Sequence, residues 1–188
     1  MLNNLLSNPL FWMSVYLIGY TIVIIALSLK KTLIIVENKT PKPLLRIYIF
    51  STFIAPPVAL PFTKGPKISI PTYVTLTVGI FLLAMNFVIK ILAQKQIGAL
   101  PAVKSKSKLV TTGIYGIVRN PLYMSNGLLA IGMATLLKSM YALLFSIPYF
   151  LSYMLIIYFE EEDLLAKYGE EYEEYKKMVP WRMIPKLF

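Results

Sequence analysis

Residues 119–163 read RNPLYMSNGLLAIGMATLLKSMYALLFSIPYFLSYMLIIYFEEED. Two apolar runs fill the stretch, Pro121–Leu137 and Ser139–Phe159, and they meet at Lys138–Ser139. That spacing predicts a tight helical hairpin. Its arms are antiparallel, so its two ends lie side by side on one face of the layer it crosses. Arg119 opens the hairpin, and Glu160, Glu161, Glu162 and Asp163 close it. A run of carboxylates at a helix C-terminus meets the partial negative charge already there. Its position predicts that the helix continues beyond the apolar layer, that the carboxylates meet cations, or both.

The rest of the chain says which layer this is. The 188 residues are 57% hydrophobic and 15% charged, with a mean hydropathy of +0.65. Soluble domains hold roughly 45–50% apolar and about 25% charged residues, so this is an integral membrane protein and not a disordered chain. Cysteine and histidine are both absent. That excludes a disulfide framework, a thiolate or imidazole metal site, and a Ser-His-Asp triad.

A spanning helix needs about 20 mostly apolar residues. Candidates are Pro9–Leu29, Ile47–Phe62 (broken by Pro56, Pro57 and Pro61), Ile68–Ile89, and the two arms of the hairpin. The expected fold is all-α, with about five transmembrane helices, a C-terminal hairpin and a cytosolic amphipathic helix. Residues 1–188 form one membrane domain, with three N-terminal spans in 1–89 and a functional region in 90–188. The first run is read as a retained helix, because residues 1–8 lack the positive charge of a signal peptide.

Sixteen of the 19 Lys and Arg residues fall between Lys30 and Arg46, between Lys90 and Arg119, or after Phe159. Lys64, Lys67 and Lys138 lie on the other side. The bias predicts an outside amino terminus and a cytosolic carboxyl terminus. It also accounts for the net charge of +10 through anionic lipid headgroups. Scattered over three juxtamembrane segments, the charges do not describe a nucleic-acid site.

Two stretches hold the polar chemistry. One is Leu109-Val110-Thr111-Thr112-Gly113-Ile114-Tyr115, followed by Arg119-Asn120-Pro121-Leu122-Tyr123; the other is the acidic segment from Glu160 through Tyr168-Gly169-Glu170-Glu171-Tyr172 to Tyr175. Taken singly they have plain structural readings. Asn120-Pro121 is a good helix start, and the acidic tail is a solvated face. Ser125, Gly127 and Gly132 are close helix-packing positions. In the tail, Leu165, Tyr168, Tyr172 and Tyr175 share one helical face. Together the stretches predict a polar pocket at the membrane surface, built on Arg119 and the Glu160/Glu161 pair and lined by Tyr115, Tyr123 and Tyr168.

The order Leu-Val-x-x-Gly-x-Tyr, Arg-Asn-Pro-x-Tyr, apolar hairpin, Glu-Glu, Tyr-Gly-Glu-Glu-Tyr-x-x-Tyr resembles the isoprenylcysteine carboxyl methyltransferase family, across about residues 104–180. That family belongs to a wider group that includes phospholipid N-methyltransferases. The resemblance implies S-adenosylmethionine as methyl donor. It places Leu109, Val110, Gly113, Tyr115, Arg119, Asn120, Tyr123, Glu160 and Glu161 at the cofactor. Glu161 would hold the cofactor's amino group, and Arg119 would orient the cofactor carboxylate or the acceptor anion. The acceptor implied is a lipophilic small molecule or lipid reached from the bilayer. Carboxyl O-methylation of an isoprenylcysteine-like compound leads phospholipid N-methylation narrowly.

Asn120 and Ser107 stand where the family carries histidine, and Met178 where an arginine is common. Asparagine donates and accepts but does not titrate, so a holding role passes to Asn120 and a proton-moving one does not. Two other readings stay open. Some membrane sterol reductases share a similar hairpin and use a nicotinamide cofactor, and a membrane scaffold without chemistry would also fit.

Overall fold

The computed structural model describes residues 2–29, 42–97 and 108–187. Ser107 and the loop lysines Lys30, Lys31, Lys39, Lys104 and Lys106 lie outside the described residues. Within those described, the fold is helical, with one isolated bridge between Lys67 and Ser139.

A short helix α1 (Leu2–Leu6) precedes α2 (Pro9–Ser28). Asn8 caps α2 by accepting from the Leu10 N–H at 2.9 Å, and Pro9 takes the first turn, where its missing N–H costs nothing.

The proline-rich second run is one rod of changing pitch. α3 (Lys42–Ile49) passes through a π turn (Phe50–Ile54) into α4 (Ala55–Ala59) and a 3-10 turn (Leu60–Phe62). Pro56 and Pro57 have no N–H for the carbonyls four residues back, which forces the ladder off the α pattern. The Ala55 N–H reaches Phe50 O instead. The carbonyl of Phe53 is filled from another helix: the Tyr149 hydroxyl donates to it at 2.6 Å. Gly19 lets this rod press against α2, since a Cβ there would fall 2.4 Å from the Thr52 side chain.

α5 (Thr72–Ile97), α6 (Pro121–Leu136) and α7 (Met140–Tyr168) complete the membrane part. Small residues bring them close. A Cβ on Gly79 would lie 2.8 Å from the Leu136 side chain, one on Gly127 2.5 Å from the Phe150 ring, and one on Gly132 3.0 Å from Leu83. The packing roles expected for Gly127, Gly132 and the fully buried Ser125 are those observed.

Among the described residues, four segments are long and apolar enough to cross a membrane: Pro9–Ser28, Pro43–Phe62, Thr72–Ile97 and Met140–Tyr168. The remaining expected span, α6, is a helix of 16 residues. At 1.5 Å per residue it reaches about 24 Å, short of a hydrocarbon layer of about 30 Å.

Expected and observed boundaries differ at α5, which starts at Thr72 instead of Ile68. Ile68 is used elsewhere: its N–H donates to Lys138 O at 2.8 Å, and Met140 N–H donates to Pro66 O at 3.1 Å. The loop before α5 thus closes over the hairpin turn and gathers Lys67 and Lys138 at that end.

At the other end α7 does not stop at Phe159 but runs on to Tyr168. Gly169, at φ +55°, ends it, and α8 (Glu170–Met178) turns away. The tail is therefore two helices, not one continuous amphipathic helix. Leu165, expected on its apolar face, is exposed; Leu164 packs with Tyr168, Tyr172, Tyr175 and Val179 in its place. The reason is the glycine, which resets the helical phase between the residues on either side.

Candidate functional site

The site is assembled by three chain segments that meet at the open end of the hairpin. The first is the loop before α6. A 3-10 turn, Gly113–Gly116, starts at a glycine with φ +60°, a conformation costly for other residues. The same glycine is also needed for space, because a Cβ would fall 1.8 Å from the amide nitrogen of Gln96 on α5. Gly113 therefore seats the loop on α5. Tyr115 is buried, and its carbonyl accepts from the Tyr175 hydroxyl on α8 at 2.7 Å. Leu109 packs against the Tyr172–Tyr175–Val179 cluster, and Val110 is half-buried beside it.

The second segment is the tail after α8. It runs alongside the loop: Arg119 N–H donates to Trp181 O at 2.9 Å, and Asn120 N–H to Arg182 O at 2.8 Å. The next residue, Met183, is fully buried in the main core with Tyr149 and Tyr153. The tail thus ties the loop to the hairpin.

The third segment is the end of α7. Arg119 is 9% exposed and points at it. Its Nε and Nη2 donate to Glu161 Oε1 at 2.9 and 2.7 Å, and its Nη1 donates to Val179 O at 2.7 Å. Arg182 Nε donates to Glu161 Oε2 at 3.0 Å. Glu161, 8% exposed, thus accepts charge-assisted bonds on both oxygens. Such bonds are short and about twice as strong as neutral ones. Next along the helix, Glu160 accepts from the Tyr123 hydroxyl at 2.5 Å. The acidic run has both features expected of it, a helix that continues and a cation at hand.

Electrostatics keep the surrounding phenols protonated. Burial pushes Tyr175 up to about 12, with the Arg119 guanidinium pulling the other way. Burial also raises Tyr172 and Tyr115, the first helped by the negative charge of Glu161 and the second by Tyr175 and Glu160. The Tyr175 hydroxyl stays a donor to Tyr115 O throughout the ordinary pH range.

One polar atom here is left over. Asn120 Nδ2 is buried and has no hydrogen-bond partner. An unpaired buried donor is costly, and this one belongs to the residue between Arg119 and the first turn of α6. A donor in wait suits a ligand that brings a carboxylate or another acceptor.

The structure brings Arg119, Asn120, Tyr123, Glu160 and Glu161 together, holds Tyr115 and Leu109 through α8, and gives Gly113 to the contact with α5. Sequence reasoning did not find Gln96 or the carbonyls of Val179 and Trp181. Backbone acceptors carry no sequence signal, and Gln96 is one polar residue among several at the end of its helix.

A family model described as phospholipid methyltransferase matches residues 74–171, just over half of the chain. A Delta(14)-sterol reductase of Methylotuvimicrobium alcaliphilum is 38% identical over 91 residues, covering 45% of this chain and 20% of that protein. A protein-S-isoprenylcysteine O-methyltransferase of Schizosaccharomyces pombe is 40% identical over 73 residues, covering 38% and 31%. Methanethiol S-methyltransferase 2 of Bradyrhizobium diazoefficiens is 36% identical over 75 residues, covering 40% and 28%. The chain thus spans between a fifth and a third of the length of these curated relatives. Because the matched region carries α5, the hairpin and the guanidinium–carboxylate closure in one continuous block, the chain belongs to the phospholipid methyltransferase family.

Proposed function

We propose that this chain transfers a methyl group from S-adenosylmethionine to a lipophilic acceptor that enters from the bilayer, on the cytosolic side. The observation that carries the reading is the buried Arg119–Glu161 pair, 2.7 Å apart, which joins the two ends of the hairpin inside the matched family region. The side of the membrane rests on the distribution of lysine and arginine.

The residues present fit the cofactor's amino-acid end. The unpartnered Asn120 Nδ2 is a donor for its carboxylate. Both oxygens of Glu161 are already engaged by guanidinium groups, so Glu161 fixes Arg119 and Arg182 in place. The amino group then falls to Glu160, the neighbouring carboxylate, whose Oε1 accepts from Tyr123. This moves the role expected for Glu161 by one residue. Tyr115 and Tyr123 offer ring faces, which favour a cation.

When bound, S-adenosylmethionine supplies a methyl carbon on a positively charged sulfur, open to in-line displacement. The chain's own work is positioning and exclusion of water. Val118 and Tyr172, both essentially inaccessible, close the loop side. Arg119, held at three nitrogens, loses no rotamer freedom when the site fills.

In this reading the acceptor is an isoprenylcysteine-like carboxylate, as the Schizosaccharomyces pombe relative's name describes for that protein. A carboxylate is already ionised and needs no base, which suits a chain without histidine. An aminophospholipid is the second reading. It is favoured by the family model and by the commitment of both Arg119 and Arg182 to Glu161.

Isothermal titration of the detergent-purified chain tests the proposal. Saturable S-adenosylmethionine binding, weakened in Glu160→Gln, supports it; binding of a reduced nicotinamide cofactor instead would move the assignment to the reductase-like relatives. Labelled methyl transfer to N-acetyl-S-farnesylcysteine and to phosphatidylethanolamine then separates the two acceptors.

A further inference from the structure

Inside the bundle, one turn from the site, a chain of hydroxyl groups has only one possible direction. It begins at the carbonyl of Phe53, which Pro57 cannot fill because proline has no N–H. A carbonyl only accepts, so the Tyr149 hydroxyl donates to it, at 2.6 Å. With that proton used, Tyr149 accepts from the Tyr153 hydroxyl at 2.8 Å. With its own proton used, Tyr153 accepts from the side-chain amide of Asn126 at 3.2 Å. The amide must therefore present its NH2 to Tyr153. Its carbonyl oxygen is left over, and Asn126 Oδ1 is indeed buried without a partner.

The proline kink in one helix thus dictates the orientation of an amide on another. Flipping that amide would set two acceptors, Oδ1 and the committed Tyr153 oxygen, against each other. An unpaired carbonyl inside a membrane protein is costly, since no water is at hand to fill it. Asn126 lies three residues after Tyr123, on the same face of α6 and about 4.5 Å along the axis. Tyr123 bonds Glu160, and its ring is stacked on that of Tyr153 with centroids 4.8 Å apart. The spare oxygen therefore belongs to a side chain one helical turn deeper in the layer than the Tyr123–Glu160 contact.

We propose that Asn126 Oδ1 accepts an N–H from the head of the lipophilic acceptor and so positions that acceptor for methyl transfer. The inference rests on the methyl-transfer reading above and assigns the acceptor side of the same site. The N–H can come from the amide of an N-acylated prenylcysteine or from the ammonium of an aminophospholipid. Asn126 and the hydroxyl chain behind it choose for that donor, whichever molecule brings it.

The test compares matched probes with and without the N–H, by binding to the full chain in detergent. N-acetyl-S-farnesylcysteine is set against S-farnesyl-3-mercaptopropionate, and phosphatidylethanolamine against phosphatidylcholine. In the unaltered chain the N–H-bearing member of one pair should bind about tenfold tighter, the worth of a single well-placed hydrogen bond. Asn126→Leu should abolish that ratio and raise KM for the acceptor by a similar factor, with S-adenosylmethionine affinity unchanged. Tyr153→Phe, which frees the amide to turn, should reduce the ratio without abolishing it. If Asn126→Leu does not fold, Asn126→Ala serves the same comparison. Equal binding within both pairs, or a ratio that persists in the Asn126 variants, would overturn the proposal; so would variants that lower only thermal stability. Which pair shows the ratio identifies the source of the N–H. Failure of the methyl-transfer reading looks different: neither cofactor binding nor turnover is seen, while the probe ratio still decides the role of Asn126.

Discussion

The two ends of the α6–α7 hairpin solve the same problem with different materials. At the turn, Lys138 Nζ donates to Thr72 Oγ1 at 2.9 Å and Lys67 Nζ to Leu137 O at 3.2 Å, both exposed and both to neutral acceptors. At the open end a buried guanidinium meets a buried carboxylate, with side chains 6% and 9% exposed. Water can replace the first pair of contacts and cannot readily replace the second. Desolvating two charges is expensive unless their remaining hydrogen bonds are met, and Arg119 and Glu161 meet theirs through Val179 and Arg182. A fastening does not need this arrangement, as the turn demonstrates. The costly end is where the polar atoms of Asn120 and Asn126 are left over.

The contrast can be broken by substitution. Arg119→Ala should have the largest effect. It leaves Glu161 and the Val179 carbonyl short of donors, and a loss of about 3–5 kcal/mol is expected from an uncompensated buried charge. Thermal unfolding in detergent measures it, and a midpoint close to that of the parent would mean the pair is not buried in solution. Gly113→Ala comes next, at about 1–2 kcal/mol for the left-handed backbone alone. Contact with Gln96 adds to this, so pairing it with Gln96→Ala should recover the steric part and no more.

Tyr175→Phe should cost about 1 kcal/mol through the lost bond to Tyr115 O, and a thermal midpoint equal to the parent's would show that bond to be idle. Lys67→Ala, at the turn, should stay within about 0.5 kcal/mol. A larger loss there would erase the distinction between the ends. Glu160→Gln sharpens the comparison from another side. It should weaken S-adenosylmethionine about tenfold, as expected for loss of a charged hydrogen bond, and change stability far less than Arg119→Ala. Titration and melting on one preparation separate the two effects.

Much of this was legible in the residues. The hairpin could be read because two apolar runs flank a single polar joint, and antiparallel arms then bring Arg119 and the glutamates to one face. The kinked second run announced itself through Pro56, Pro57 and Pro61. The phase of the tail was not legible. A single glycine between two helical stretches can continue or reset the helix, and the choice depends on what the far side packs against; here Tyr172, Tyr175 and Val179 hold α8 in a position that Leu165 cannot share. Asn126 carried a signal that pattern reading passed over, a polar side chain one turn beyond Tyr123 in an otherwise apolar helix.

By itself the sequence determined a helical membrane chain, the place of its hairpin, and the nearness of a cation to a cluster of carboxylates. All three follow from local composition and from the geometry of antiparallel helices. Only the tertiary structure decided which glutamate takes the guanidinium. Glu160 and Glu161 are about 100° apart on their helix, so the rotation of α7 against α6, set by Gly127 on the Phe150 ring, turns one inward to Arg119 and the other toward Tyr123.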